Sequence, residues 1–269
     1  MKTLKDFATK KEFYKYLVKN KSEIINFKKS ILKRADAIEI DFKKETVVKA
    51  LNTSYKDDVS AGIIKRTIIG NTYNWLDSHD DVHIDNCFSK SISERQDKIW
   101  HLHDHEQKIT AKVGIPQSIY EKAVDWKDLG IDITGKTTAL FMDSNILKDY
   151  NAVVFGQYLD KQINQHSVGM YYVQLDLAIN DPEMKEEFSQ WNKYINGIGN
   201  KEKAIEQGFF WAIKEAKLIE ISCVLAGSNE LTPTVENEEK DKVETEEIIV
   251  EQSFFSKVAK CLVANSQHN

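Results

Sequence analysis

Three short stretches hold the side chains best suited to chemistry. Trp100-His101-Leu102-His103-Asp104-His105-Glu106 crowds three imidazoles together, and His166-Ser167-Val168-Gly169-Met170 sets a serine between a histidine and a glycine. Imidazole titrates near neutral pH, so the first stretch suits proton transfer or metal ligation. The third, Leu218-Ile219-Glu220-Ile221-Ser222-Cys223-Val224, is an apolar strand interrupted by one carboxylate. Strand alternation puts Leu218, Glu220, Ser222 and Val224 on one face. A carboxylate among apolar neighbours is costly to bury without a hydrogen-bonding partner.

Each motif also has a plainer reading. If Lys98–His105 is extended, His101, His103 and His105 share a face and could ligate zinc. The run comes within a residue of the His-x-His-x-Asp-His pattern of metallo-β-lactamases, but no downstream set of Asp, Cys and His completes it. Taken singly, His79, His83, His101 and His268 read as surface or packed imidazoles. Ser167 lacks the Gly-x-Ser-x-Gly elbow of α/β-hydrolases.

The elements that must position these groups follow from hydropathy. Over residues 4–34, Phe7, Phe13, Tyr14, Leu17, Val18, Ile24, Ile25, Phe27, Ile31 and Leu32 recur at mostly helical spacing among lysines, which predicts two amphipathic helices or one bent one. Ala37–Phe42, Ile63–Ile69, Lys98–His103, Thr138–Met142, Val168–Leu175 and Leu218–Val224 read as strands. Ser118–Ala123, about 144–163 and Phe209–Lys217 read as helical, and 180–207 as a charged insertion. Strands with interspersed helices and no regular βαβ spacing argue for a barrel-like α+β domain.

The 269 residues carry a net charge of −5, unevenly spread. Residues 1–34 hold 11 Lys/Arg against 3 Asp/Glu, or +8, leaving −13 for the rest. Such a basic arm suits docking onto an acidic protein or onto nucleic acid, or is simply a solvated lysine-rich helix. Composition divides the chain into a basic helical arm (1–35), a folded domain (36–230) and an acidic disordered tail (231–269). The tail carries Glu236, Glu238, Glu239, Asp241, Glu244, Glu246, Glu247 and Glu251 and ends in an apolar-basic patch at Phe254–Val263. Three scattered cysteines form neither a disulfide framework nor a zinc-finger spacing and fit a reducing compartment. No apolar run is long enough to span a bilayer, and the start lacks a signal-peptide core, so no membrane association or secretion is expected.

Taken in order, Leu102-His103-Asp104-His105-Glu106 with Ile109, Ser167-Val168-Gly169-Met170 and Leu218–Val224 with Asn229 resemble the motifs of the prohead (capsid maturation) proteases of tailed bacteriophages. Those proteases are similar in fold to herpesvirus assemblin. Asp77–Phe88 echoes an earlier family feature, and the likeness covers about residues 36–230. Thr110 and Asn86 stand where the family has glycine, and Ala226-Gly227-Ser228 replaces a proline-containing turn. The resemblance implies a herpesvirus-protease-like β-barrel surrounded by helices, with Ser167 as nucleophile, His105 as general base and then acid, and Glu220 orienting His105. It implies a serine endopeptidase that cleaves capsid scaffold or the scaffold-like arm of the major capsid protein, and itself, within the prohead in the host cytoplasm. Major capsid protein and scaffold are then its partners, a homodimer is compatible, and no cofactor, metal, membrane or specific nucleic acid is required. The alternatives are an inactive scaffolding or assembly protein and a zinc hydrolase using His101, His103 and His105.

Overall fold

Five strands of 10 to 15 residues carry the fold. The computed structural model describes residues 2–34 and 56–235. The strand expected at Ala37–Phe42, the acidic run from Glu236, the apolar-basic patch and His268 lie outside the described residues.

The strands are β1 (Lys33–Arg34), β2 (Ile63–Thr72), β3 (Asp81–His83), β4 (Trp100–His103), β5 (Lys112–Asp125), β6 (Lys136–Leu147), β7 (His166–Ile179), β8 (Phe209–Cys223) and β9 (Thr234–Val235). They form one mixed sheet in the order β1-β7-β8-β4-β5-β6-β2-β9, with β3 also on β8. β3 and β4 run parallel to β8, and the other pairings are antiparallel. Among the described residues no ladder joins β1 to β9, so the sheet is open and the expected barrel is not closed. It nonetheless wraps one apolar core to which β2, β5, β6, β7 and β8 all contribute.

Two segments that read as helical are strands. Ser118–Ala123 lies within β5, paired with β6 residue for residue, and Pro116 sits where that register shifts at a bulge. Phe209–Lys217 lies within β8, where Phe209 to Ile213 are all buried. A strand covered on both faces loses its alternation and looks like a buried helix. The helix expected over about 144–163 is shorter: β6 runs to Leu147, and α4 (Ala152–Leu159) starts where the Asn151 side chain accepts from the Val154 N–H at 3.0 Å.

The basic arm forms α1 (Lys10–Lys19), capped by Thr9, and α2 (Lys21–Ser30), which meet at Asn20. It is not a separate body, because Phe13, Tyr14, Leu17 and Ile24 are buried in the main core. Burying such side chains contributes about 1.5–3 kcal/mol each. Lys28 is buried too, with Nζ 2.8 Å from Asp81 Oδ1 and lying over the Tyr172 and Trp211 rings. At the other boundary, Leu231, Thr232 and Val235 are buried and Thr234–Val235 pairs with β2, so the fold extends past residue 230.

On the edge of β8 away from β7, β3 takes residues 211–213 and β4 takes 220–223. α3 (Ser89–Arg95) covers the interval between them. Ser91 Oγ accepts from the Leu218 N–H at 2.9 Å, and the Cys87 carbonyl accepts from the Ala216 N–H at 2.9 Å. The 180–207 insertion forms α5 (Lys185–Tyr194) and α6 (Lys201–Gln207), which pack through Trp191 and Ala204 on Phe210 and Ala212.

Candidate functional site

β7 and β8 pair so that Ser167 opposes Ser222 and Gly169 opposes Glu220. Opposed residues share a face, so these four side-chain positions lie together. The register then shifts, and Met170 opposes Leu218 rather than Ile219. Met170 and Leu218 both belong to the apolar core. The bulge therefore turns Leu218 inward and Glu220 to the other face, and the expected common face for Leu218 and Glu220 does not exist. One extra residue in a strand reverses the side-chain sequence beyond it.

Glycine at 169 is what admits the carboxylate. A Cβ there would collide with Glu220 Oε1. Glu220 is nearly inaccessible at 1% exposure, and both its oxygens are engaged. His105 Nδ1 lies 2.6 Å from Oε1, and the Ser222 hydroxyl donates to Oε2 at 2.5 Å. The same Ser222 oxygen accepts from the His105 backbone N–H at 3.2 Å. Burial is tolerated because the polar atoms are paired.

His105 reaches this position through a turn. β4 ends at His103, and Asp104 and His105 both take left-handed backbone angles, with φ of 50° and 54°. Non-glycine residues held in this region cost about 1–3 kcal/mol each and concentrate at functional sites. The Asp104 N–H still bonds the Cys223 carbonyl at 3.0 Å, and the Glu106 N–H closes the turn on the His103 carbonyl at 3.1 Å. The chain thereby folds His105 back over β8 instead of extending the strand.

The three clustered histidines therefore do not share a face. His103 is partly exposed and pairs with its neighbour Asp104 at 3.0 Å. His101 opposes Ile221 across the parallel β4–β8 ladder, on the core side. There its Nδ1 lies 2.9 Å from Ser144 Oγ and its Nε2 lies 3.1 Å from the Tyr158 hydroxyl. Tyr158 also bonds His166 Nε2 at 2.9 Å, and His166 Nδ1 faces the Thr232 carbonyl at 2.9 Å. A carbonyl only accepts, so His166 carries its proton on Nδ1, and Tyr158 donates to Nε2. Tyr158 then accepts from His101 Nε2–H, and Ser144 donates to His101 Nδ1. Every ring nitrogen is used in the neutral form, and burial pulls His101 down to about 3 and His166 to about 4. Among the described residues no three His, Cys, Asp or Glu side chains are grouped to hold a metal.

His79 and His83 lie elsewhere, near Asp77 and Asp81, and burial lowers the pKa of both. Asp77 ties that loop by accepting from the His79 and Asp81 N–H groups and from Ser228 Oγ. The loose echo at Asp77–Phe88 thus marks a structural turn.

Ser167, His105 and Glu220 are all buried, at 2%, 1% and 1% exposure. Together with Ser222 they occupy one face of the β7–β8 pair and the turn above it. Sequence reading did not single out Ser222 or the carboxylate-admitting role of Gly169. The spacing of Ser222 two residues after Glu220 carried that signal for the first; only the cross-strand register reveals the second. Comparison of the chain with family models, with curated proteins and with solved structures finds no match.

Proposed function

We propose that this chain is a serine endopeptidase of the prohead-protease kind, with a herpesvirus-protease-like arrangement of strands. The observation that carries the reading is the buried 2.6 Å hydrogen bond between His105 Nδ1 and Glu220 Oε1, made on the face that also holds Ser167. A serine hydroxyl is a weak nucleophile until a base takes its proton. With Nδ1–H donated to Glu220, Nε2 is the basic nitrogen. It accepts the Ser167 proton as the oxygen attacks the scissile carbonyl and passes that proton to the departing amine. Water then attacks the acyl-serine with the same base. Glu220 steadies the imidazolium formed at each step, and Ser222 holds the second carboxylate oxygen so that the first stays aimed at His105.

In this reading, which the sequence likeness supports, the substrates are capsid scaffold, the scaffold-like arm of the major capsid protein and the enzyme's own chain, cut inside the assembling prohead in the host cytoplasm. Because Ser167 is covered, a polypeptide reaches it only when a neighbouring segment moves aside. Co-expression with the capsid protein tests the reading. Wild type trims the capsid protein, and Ser167→Ala reduces trimming by at least about 10⁴-fold with the fold intact. Equal trimming by Ser167→Ala overturns the assignment. Shells formed without any cutting by wild type would favour the scaffolding alternative.

A further inference from the structure

A cleft of about 520 Å³ opens between α3 and the β7–β8 pair. Lys90, Arg95, Lys98 and Lys217 line it, against Glu94 and Glu215. Glu215 is already engaged by Lys90 Nζ at 3.4 Å and Gln174 Nε2 at 3.1 Å. Among the described residues, Arg95 Nε is buried without a hydrogen-bond partner. A buried donor left unsatisfied is destabilising, and an incoming acceptor would relieve it.

The cleft shares a face with the candidate site. Lys217 opposes Tyr171, and Tyr171 stands two residues beyond Gly169 on β7, where side chains alternate. Lys217 therefore lies on the Glu220 side of the sheet. Its partner Tyr171 is four positions from Ser167, or about 13 Å along the strand.

We propose that this cleft binds an acidic stretch of polypeptide, and, granting the protease reading, that it takes the acidic flank of the substrate about four to six residues from the cut bond. Four cations against two carboxylates leave an excess of positive charge in a chain whose net charge is −5. The aliphatic stems of the lysines and the exposed Val173 side chain suit the stem of a glutamate. A nucleic acid fits less well, because none of the described residues that line the cleft is aromatic and a base would find no ring there on which to stack.

Binding is measured on the full chain carrying Ser167→Ala, so the result does not depend on cleavage. The probe is a fluorescent peptide of about six glutamates, compared with a glutamine analogue and a single-stranded oligonucleotide of equal charge. The glutamate peptide should bind, weaken about tenfold or more on Lys98→Glu with Lys217→Glu, tighten on Glu94→Lys, and release at about 0.5 M salt. All three positions are exposed, and an unchanged thermal melt confirms folding. Unaltered binding by the charge-reversed chain, no binding at all, or tighter binding of the oligonucleotide would overturn the proposal. If the protease reading alone is wrong, peptide binding persists while wild type cuts nothing.

Discussion

The two faces of the β4–β8–β7 region each bury histidines in hydrogen bonds, yet they are built for opposite ends. On the core face, His101 and His166 are joined through Tyr158 to Ser144 and the Thr232 carbonyl, all neutral partners. Such a network is complete only while both rings stay uncharged. On the other face, His105 meets a carboxylate whose second oxygen is held by Ser222. There the partner is a carboxylate, where the core-face rings have only neutral ones. In the proposed function the core-face imidazoles are packing elements and His105 is the proton carrier, a division drawn from what lies against each ring.

The largest expected effect breaks the second face alone. Glu220→Gln keeps size and hydrogen bonding but removes the charge, and kcat should fall by about 10⁴-fold while the fold survives. Steady-state cleavage of a capsid-derived peptide checks this; a drop below tenfold would mean that Glu220 does not orient the base.

Gly169→Ala should follow. The added methyl meets Glu220 Oε1 and must push the carboxylate out of line, so activity is lost and stability falls by about 1–3 kcal/mol. Chemical denaturation reads the second quantity, and wild-type values for both would show that Glu220 has room to spare.

Acid should undo the first face. The folded pKa values of His101 and His166, about 3 and about 4, lie below the usual 6.5. The unfolded chain therefore binds more protons as pH falls through 6.5, and stability is complete above that pH. It is then lost toward pH 4 by up to about 1.4 kcal/mol per pH unit for each ring. Replacing His101 by Phe should remove that ring's share of the slope, up to about 1.4 kcal/mol per pH unit, in denaturation measured from pH 7 to 4, while His166, His79 and His83 still contribute. An unchanged slope would mean the neutral network does not control acid stability.

Ser222→Ala is the smallest change. It frees one Glu220 oxygen and the His105 N–H, and should lower kcat about tenfold while shifting the acid limb of the pH–rate profile. A change in stability with an unmoved profile would make Ser222 a packing residue only.

Much of this contrast was legible beforehand, and the reasons for the rest are specific. The arm helices show through their apolar stripe, and β2, β4 and β7 through short apolar runs. Long strands buried on both faces, such as the start of β8, carry no alternation and imitate helices. Ser118–Ala123 joined β5 because pairing with β6 outweighs local preference. The bulge at Ile219 leaves no mark in the residue types, yet it separates Leu218 from Glu220. The left-handed turn at Asp104–His105 likewise lacks the glycine that would announce it, and it sends His105 away from His101 and His103. The site residues were readable as types; their grouping depends on register and turn geometry, which only long-range pairing sets.

The most direct measurement is labelling with a fluorophosphonate that reacts with activated serines, followed by peptide mass spectrometry. Wild type should carry the label on Ser167, and His105→Ala should lose it while remaining folded. Label on another serine, or equal labelling of Ser167 without His105, would contradict the assignment of Ser167, His105 and Glu220 as a working triad.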